Sequence, residues 1–416
     1  MAAPILDSFE MAAALTDLST WLVQQGLENT PTDLWLSQFC DKVNEAGIPL
    51  ARVNLSTRAH HPEIGAVAFR WRRDGESEQF QYSRSTSPAS DVMEEYRRSP
   101  LFYLMSNPIS EMRQRLDVPA PELDFPMFDE LRAQGMTEYY AAKRYFLRSN
   151  QEHISDPTRP IEENMTISMA TDQKGGFSNA QLDLLRPLLV PMCLTLKCSA
   201  NRLMAEDITA AYMGRDASRR VLSGAISRGS SDTISAVILY FDLKGFTKLS
   251  EQLPGDAVIE LLNDYFAEAV DVVENNGGNV LKFMGDGMLA IFDLNDIPNA
   301  RHVAVKAAVE LREVFAATNE RRAAAGLYTT GFALALHAGD VLYGNIGGKT
   351  RLDFTVIGPA VNATARILGM SGALDQNIVI SSQVAAEVCA ARPDLVSLGQ
   401  YRLRGVRERL ELFTLD

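Results

Sequence analysis

Residues 236–241 read AVILYF, six consecutive apolar side chains closed by Asp242. A run this short and this uniformly apolar reads as a strand buried on both faces, which requires neighbouring strands and covering helices. The sequence that follows supplies both. From about Asp256 to Asn275 apolar residues recur at three and four positions (Val258, Leu261, Leu262, Tyr265, Phe266, Ala269, Val270, Val273), which makes one face of a helix. Asn275-Asn276-Gly277-Gly278 ends it with C-cap chemistry. Strands are predicted at Asn279–Met284 and Met288–Phe292, joined by Gly285-Asp286-Gly287, a hairpin signal. A helix over about Pro298–Ala324, a strand at Thr330–His337, a loop, a strand at Asp353–Ile357 and a helix opened by Pro359 complete an α+β sandwich.

That region is the last of three parts. The chain has 416 residues, enough for two domains with a connector. Residues 1–200 open with helical periodicity over Leu34–Ala46, continue with strand-like Gly65–Arg70, Phe80–Tyr82 and Met165–Ala170, and close with the loop TDQKGGFS and a helix over Asn179–Ala200. Residues 99–126, rich in proline and turn formers, resist assignment. Residues 201–230 read as a helical linker ended by SRGSSD, and residues 231–416 form the sheet-cored domain.

Bulk properties narrow the function classes. The net charge of −13 disfavours a general binder of nucleic acid or anionic membrane, because phosphate surfaces need basic partners. Cys40, Cys193, Cys198 and Cys389 include no CxxC pair and no metal-ligand spacing with the five histidines, so reduced thiols in a cytoplasmic protein are expected. The opening MAAPILDSFEMAAAL carries Asp7 and Glu10 and no basic region, unlike a signal peptide. The longest apolar stretch, Leu184–Leu196, is broken by Arg186, Pro187 and Pro191, so no membrane span is expected.

Several residues have the chemistry of a polyphosphate site, though each also has an ordinary structural reading. Asp242 ends a buried strand beside a turn, where it could reach a ligand or cap the next helix. The loop Leu243-Lys244-Gly245-Phe246-Thr247 leads into a helix-like segment whose first amides could meet phosphate oxygens. Asp286, 44 positions after Asp242, sits at the hairpin tip, and two such carboxylates could clamp two divalent ions. Asn362 and Arg366 stand four apart on one helix face, where the guanidinium could neutralise charge on a reacting phosphoryl group.

Taken jointly, FDLKGFT (241–247), LKFMGDG (281–287) and FTVIGPAVNATAR (354–366) resemble the class III adenylate/guanylate cyclase catalytic domain in content, order and spacing over residues 232–416. The ending of the first part resembles the last strand, Gly-Phe-Ser loop and closing helix of GAF-type sensor domains. The resemblance implies a ferredoxin-like βαββαβ catalytic core preceded by an α/β GAF-like sensor domain. It implies conversion of ATP to 3′,5′-cyclic AMP and pyrophosphate, with Mg²⁺ as cofactor, two per site, and Mn²⁺ as a substitute. Asp242 and Asp286, assisted by the Leu243 carbonyl, match the metal ligands, and Gly245, Phe246 and Thr247 match the phosphate loop. Lys282 and Thr355 match the base-reading pair, and Asn362 and Arg366 the transition-state pair.

The physics of base reading agrees with ATP. Adenine presents an acceptor at N1 and a donor at N6, whereas guanine reverses both. A lysine at 282 suits the first, while guanylate cyclases of the family typically carry an acidic residue there. The Thr355 hydroxyl can accept or donate, and members with threonine form a subgroup in which bicarbonate stimulation is common. In the family the site lies between two chains, so a head-to-tail homodimer is implied. Two departures stand out. Ala333 occupies the position where some members carry a pyrophosphate-binding arginine, and Arg404 of YRLRGV stands near their phosphate-binding lysine. A degenerate, binding-only cyclase fold is the competing reading, but all six site residues are present. A diguanylate cyclase would carry a GG(D/E)EF-type turn, which FMGDG is not.

Overall fold

The structure, a computed structural model, describes residues 8–58, 64–84, 90–118, 123–145, 164–227, 229–406 and 408–415. The first seven residues, and with them Asp7 of the N-terminal reading, lie outside that set, as do His60, His61 and His153. The chain forms two compact units, Met1–Ile208 and Thr209–Asp416.

The first unit contains helices α1 (Ser8–Glu28), α2 (Thr32–Glu45), α3 (Asp91–Arg97), α4 (Pro100–Ser106), α5 (Pro126–Ala133) and α6 (Asn179–Leu185), with α7 (Leu189–Met213) running past its boundary. Its strands are β1 (Arg52–Arg58), β2 (Ile64–Arg72), β3 (Glu78–Ser83), β4 (Glu111–Arg115), β5 (Glu138–Tyr145) and β6 (Asn164–Thr171). They form a six-stranded sheet in the order β3-β2-β1-β6-β5-β4, every pair antiparallel. The unassigned stretch 99–126 supplies α4, β4 and the start of α5, with Ser90 and Ser99 capping α3 and α4. The single helix expected over 179–200 is two. Pro187 forces a short 3-10 turn at Arg186–Leu188, after which α7 continues well beyond residue 200.

The second unit contains helices α8 (Arg215–Leu222), α9 (Phe246–Gln252), α10 (Gly255–Asn275), α11 (Ala300–Ala324), α12 (Pro359–Leu368), α13 (Ser371–Leu374) and α14 (Ser382–Val388). Its strands are β7 (Ser231–Lys244), β8 (Asn279–Met284), β9 (Gly287–Asp293), β10 (Gly331–Gly347), β11 (Leu352–Ile357), β12 (Ile378–Ser381), β13 (Leu395–Tyr401) and β14 (Leu410–Leu415). The order β13-β14-β12-β10-β7-β9-β8, with β11 paired to β10, puts β7 inside the sheet between β10 and β9. The succession β7-α10-β8-β9-α11-β10 is the expected βαββαβ core.

Burial explains why the apolar run nucleates this sheet. Val237, Leu239 and Phe241 enter the core beneath α10 and α11, while Ala236 and Ile238 enter a second cluster with Val341, Tyr343 and Val356 on the other face. Two strands are longer than their apolar runs. The stretch expected as a loop after His337 is the far half of β10, whose ladder with β7 extends from Gly331↔Lys244 to Gly344↔Ser231. The alternation there is interrupted by Gly339 and Asp340, which hides the strand from a periodicity reading.

Candidate active site

Asp242 sits two residues from the end of β7, directly across from Ala333 on β10 and from Gly287 on β9. Both neighbours are small. A Cβ placed on Gly287 would lie 2.7 Å from the Phe241 carbonyl oxygen and 3.0 Å from an Asp242 carboxylate oxygen. Glycine is therefore required by close approach, and the two small residues leave the space beside Asp242 open.

The hairpin between β8 and β9 turns through Gly285, whose φ of +66° is a left-handed value suited to glycine. This places Asp286 beside β7, where its carbonyl oxygen accepts a hydrogen bond of 3.2 Å from the Leu243 amide. The two carboxylates meet, and neither is fully exposed. The Asp242 carboxyl is pushed up to about 6, first by burial, then by the Asp286 charge and a hydrogen bond to it. Burial and both carboxylates push the Tyr240 hydroxyl up as well. Among the described residues no cluster of three or more His, Cys, Asp or Glu side chains converges. Two acceptor-only carboxylates forced together fit a hard divalent cation whose remaining ligands are water and substrate oxygens.

Gly245 starts α9 at φ +72°, and a Cβ there would meet nothing within 4 Å. Its requirement is thus conformational rather than steric. Phe246 packs its ring against the core, while the first amides of α9 lack intrahelical partners.

A second group gathers on the β8–β11 side. The Lys282 ammonium donates to the Asp353 carboxylate at 2.7 Å. Asp353 and Thr355 are two apart on β11 and so share a face. Thr355 is 6% exposed, and its hydroxyl has no hydrogen-bond partner. Such an orphan in a buried position is unusual, and the hydroxyl is free to bond a bound substrate. Asp353 was absent from the sequence-derived set. Its signal was available: an acidic residue two positions before Thr355 in a strand.

Asn362 and Arg366 lie on the exposed face of α12, whose opposite face buries Ala360, Ala363, Thr364, Ile367 and Leu368. Neither side chain has a hydrogen bond or ion pair among the described residues. Arg404 is exposed in the connection between β13 and β14. Among the described residues, no hydrogen bond or ion pair joins the Asp242–Asp286 pair, the Lys282–Asp353–Thr355 group and the Asn362–Arg366 pair to one another.

The family described as the adenylate and guanylate cyclase catalytic domain matches residues 229–416. An adenylate cyclase from Anabaena cylindrica is 28% identical over 255 residues, which cover 58% of this chain and 49% of that protein. Adenylate cyclase 1 from Rhizobium meliloti is 26% identical over 223 residues, 53% of this chain and 33% of that protein. The chain therefore spans about half the length, or less, of these curated relatives. A crystal structure of an adenylyl cyclase from P. aeruginosa aligns over 45% of this chain and 96% of its own, with 24% identity and a TM-score of 0.42. No helix among the described residues is long and apolar enough to cross a membrane. Residues 229–416 thus carry the match to the adenylate and guanylate cyclase catalytic domain.

Proposed function

We propose that this chain is an adenylate cyclase that converts ATP to 3′,5′-cyclic AMP and pyrophosphate. The observation that carries the choice of ATP is the Lys282–Asp353 pair beside the orphaned Thr355 hydroxyl. Lys282 offers a donor to adenine N1. Asp353 is an acceptor only, so it suits the adenine N6 amino group and offers guanine O6 no donor, whereas the Thr355 hydroxyl, able to accept or donate, fits either base. A mismatch at such a site costs roughly 1–3 kcal/mol per unpaired buried group.

Asp242 and Asp286, with the Leu243 carbonyl, hold the divalent ions, two Mg²⁺ per site with Mn²⁺ able to replace them. Ions bound there supply a more acidic ribose 3′-hydroxyl and a counter-charge for the triphosphate and the departing pyrophosphate. The amides of Gly245, Phe246 and Thr247 hold phosphate oxygens, and Arg404 adds a cation near the leaving group. Asn362 orients the ribose, and Arg366 offsets the charge that builds on the α-phosphoryl group as the 3′-oxygen attacks. The unpartnered state of both side chains supports a role toward substrate. That no hydrogen bond or ion pair among the described residues joins the three groups supports a homodimer with sites shared between subunits.

Residues 1–200 act as a GAF-like sensor whose signal reaches the catalytic domain through residues 201–230, and the Thr355 subgroup makes bicarbonate a candidate effector. The enzyme functions in the cytoplasm. Incubation of purified protein with ATP or GTP and Mg²⁺ or Mn²⁺, followed by product mass determination, tests the reading. Cyclic AMP from ATP is expected. Exclusive formation of cyclic GMP, or of no cyclic product, overturns it.

A further inference from the structure

The sheet of the first unit has two unlike faces. Val53, Leu55, Ile167 and Met169 point into an apolar core with the flanking helices. The alternate positions of the same strands are Arg52, Asn54 and Ser168, which line a small cavity with Tyr139 of β5 and with Met127 and Leu131 of α5. The space between them is that of about one water molecule. Met127, at the edge of the cavity, is itself only partly buried.

The Asn54 side-chain oxygen accepts from Arg70 Nε at 3.1 Å, but two other polar groups here are not satisfied by the protein. Arg52 is 8% exposed, and its Nε has no hydrogen-bond partner. Tyr139 is 2% exposed, and its hydroxyl, although beside Ser168, makes no hydrogen bond of good geometry. The surrounding charge is positive. Arg52 stands across from Arg72 in the β1–β2 ladder, and Asn54 stands across from Arg70. A single carboxylate, Glu78, serves both Arg70 and Arg72 at 3.6 Å. Burial first, then Arg70 and Arg72, opposes the Arg52 charge; the Tyr139 hydroxyl and the solvent-exposed Glu130 carboxylate act in its favour. A guanidinium kept inside a domain without a buried counter-charge is rare, because the lost hydration is not replaced.

We propose that this cavity is an anion site of the N-terminal unit, where one oxygen of a small ligand's carboxylate or phosphate takes the water-sized space beside Arg52 and the rest of the group lies at the edge of the cavity. Arg52 supplies the charge and a donor fork, and the Tyr139 and Ser168 hydroxyls and the Asn54 amide supply further donors. The site stands apart from the cyclase reading and does not depend on it.

Calorimetric titration of the full chain with sodium acetate and with sodium phosphate, against sodium chloride at matched ionic strength, tests the proposal. Saturable binding of at least one of the two is expected, weakened at least tenfold by Arg52→Met and several-fold by Tyr139→Phe. Substitution of the exposed Arg98 by methionine should leave it unchanged. Acetate alone binding identifies a carboxylate ligand, and phosphate alone a phosphate-bearing one. Tyr139→Phe carries the test if Arg52→Met does not fold. Absence of saturable binding beyond the chloride response, or binding unchanged in every folded variant of the pair, overturns the proposal.

Discussion

Gly287 lies directly across the ladder from Asp242, so close that a methyl group on it would press on the carboxylate and on the Phe241 carbonyl. The backbone contact cannot be relieved by rotating a side chain. Gly287→Ala should therefore push β9 away from β7 and move Asp242. Stability should fall by roughly 1–3 kcal/mol in thermal or urea unfolding. On the proposed reading, cyclase turnover should fall by about a hundredfold or more, since a carboxylate that holds an ion tolerates little displacement. Parental turnover in a folded variant would remove Asp242 from the reaction.

The Lys282–Asp353 pair predicts a hierarchy in nucleotide choice. Lys282→Glu should abolish the preference for ATP over GTP. Asp353→Asn retains an acceptor for Lys282 but loses the charge, so its effect should be smaller, about tenfold on kcat/KM for ATP. Thr355→Val should lower kcat/KM for ATP while leaving the fold intact, because its hydroxyl bonds to nothing in the protein. Measuring both nucleotides on all three variants separates base reading from general damage.

Asp242 and Asp286 also predict a cost in the metal-free protein. Because the Asp242 carboxyl is raised from 3.8 to about 6, its ionisation disfavours the folded state. That penalty is absent below about pH 4 and complete above about pH 6. Asp286→Asn should relieve part of it, so the chelator-treated variant should gain stability relative to the parent between these limits, with the gain held at higher pH. The same substitution should abolish turnover with Mg²⁺. A variant less stable than the parent at pH 7 in chelator would show that the carboxylates are not in conflict.

His337 sets the opposite slope. It is buried on β10, its Nδ1 2.9 Å from the Ser381 hydroxyl, and burial lowers its pKa from 6.5 to about 4. Protonation favours the unfolded chain, so stability should be lost as pH falls from about 6.5 toward 4, by up to about 3 kcal/mol. His337→Gln should flatten this part of the profile. Comparing each variant with the parent isolates its contribution even though the two slopes overlap.

The sequence by itself determined the core of the second unit. The six-residue apolar run, the helical periodicity over 256–275 and the Asp-Gly turn are local signals of burial and backbone geometry, and they located β7, α10 and the β8–β9 hairpin closely. The candidates Asp242, Asp286, Asn362 and Arg366 stood out because they lie near a strand end, at a turn and on a proline-opened helix, positions that sequence marks directly, whereas Lys282 and Thr355 lie inside strands. What only the tertiary structure decided are relationships between strands. That Gly287 and Ala333 flank Asp242, that Asp353 holds Lys282, and that β10 continues through Gly339 all follow from ladder register. Register depends on how distant segments pair, and no single segment encodes it. The same holds for Arg52, an ordinary polar residue in an alternating strand until the sheet and α5 enclose it without a counter-charge.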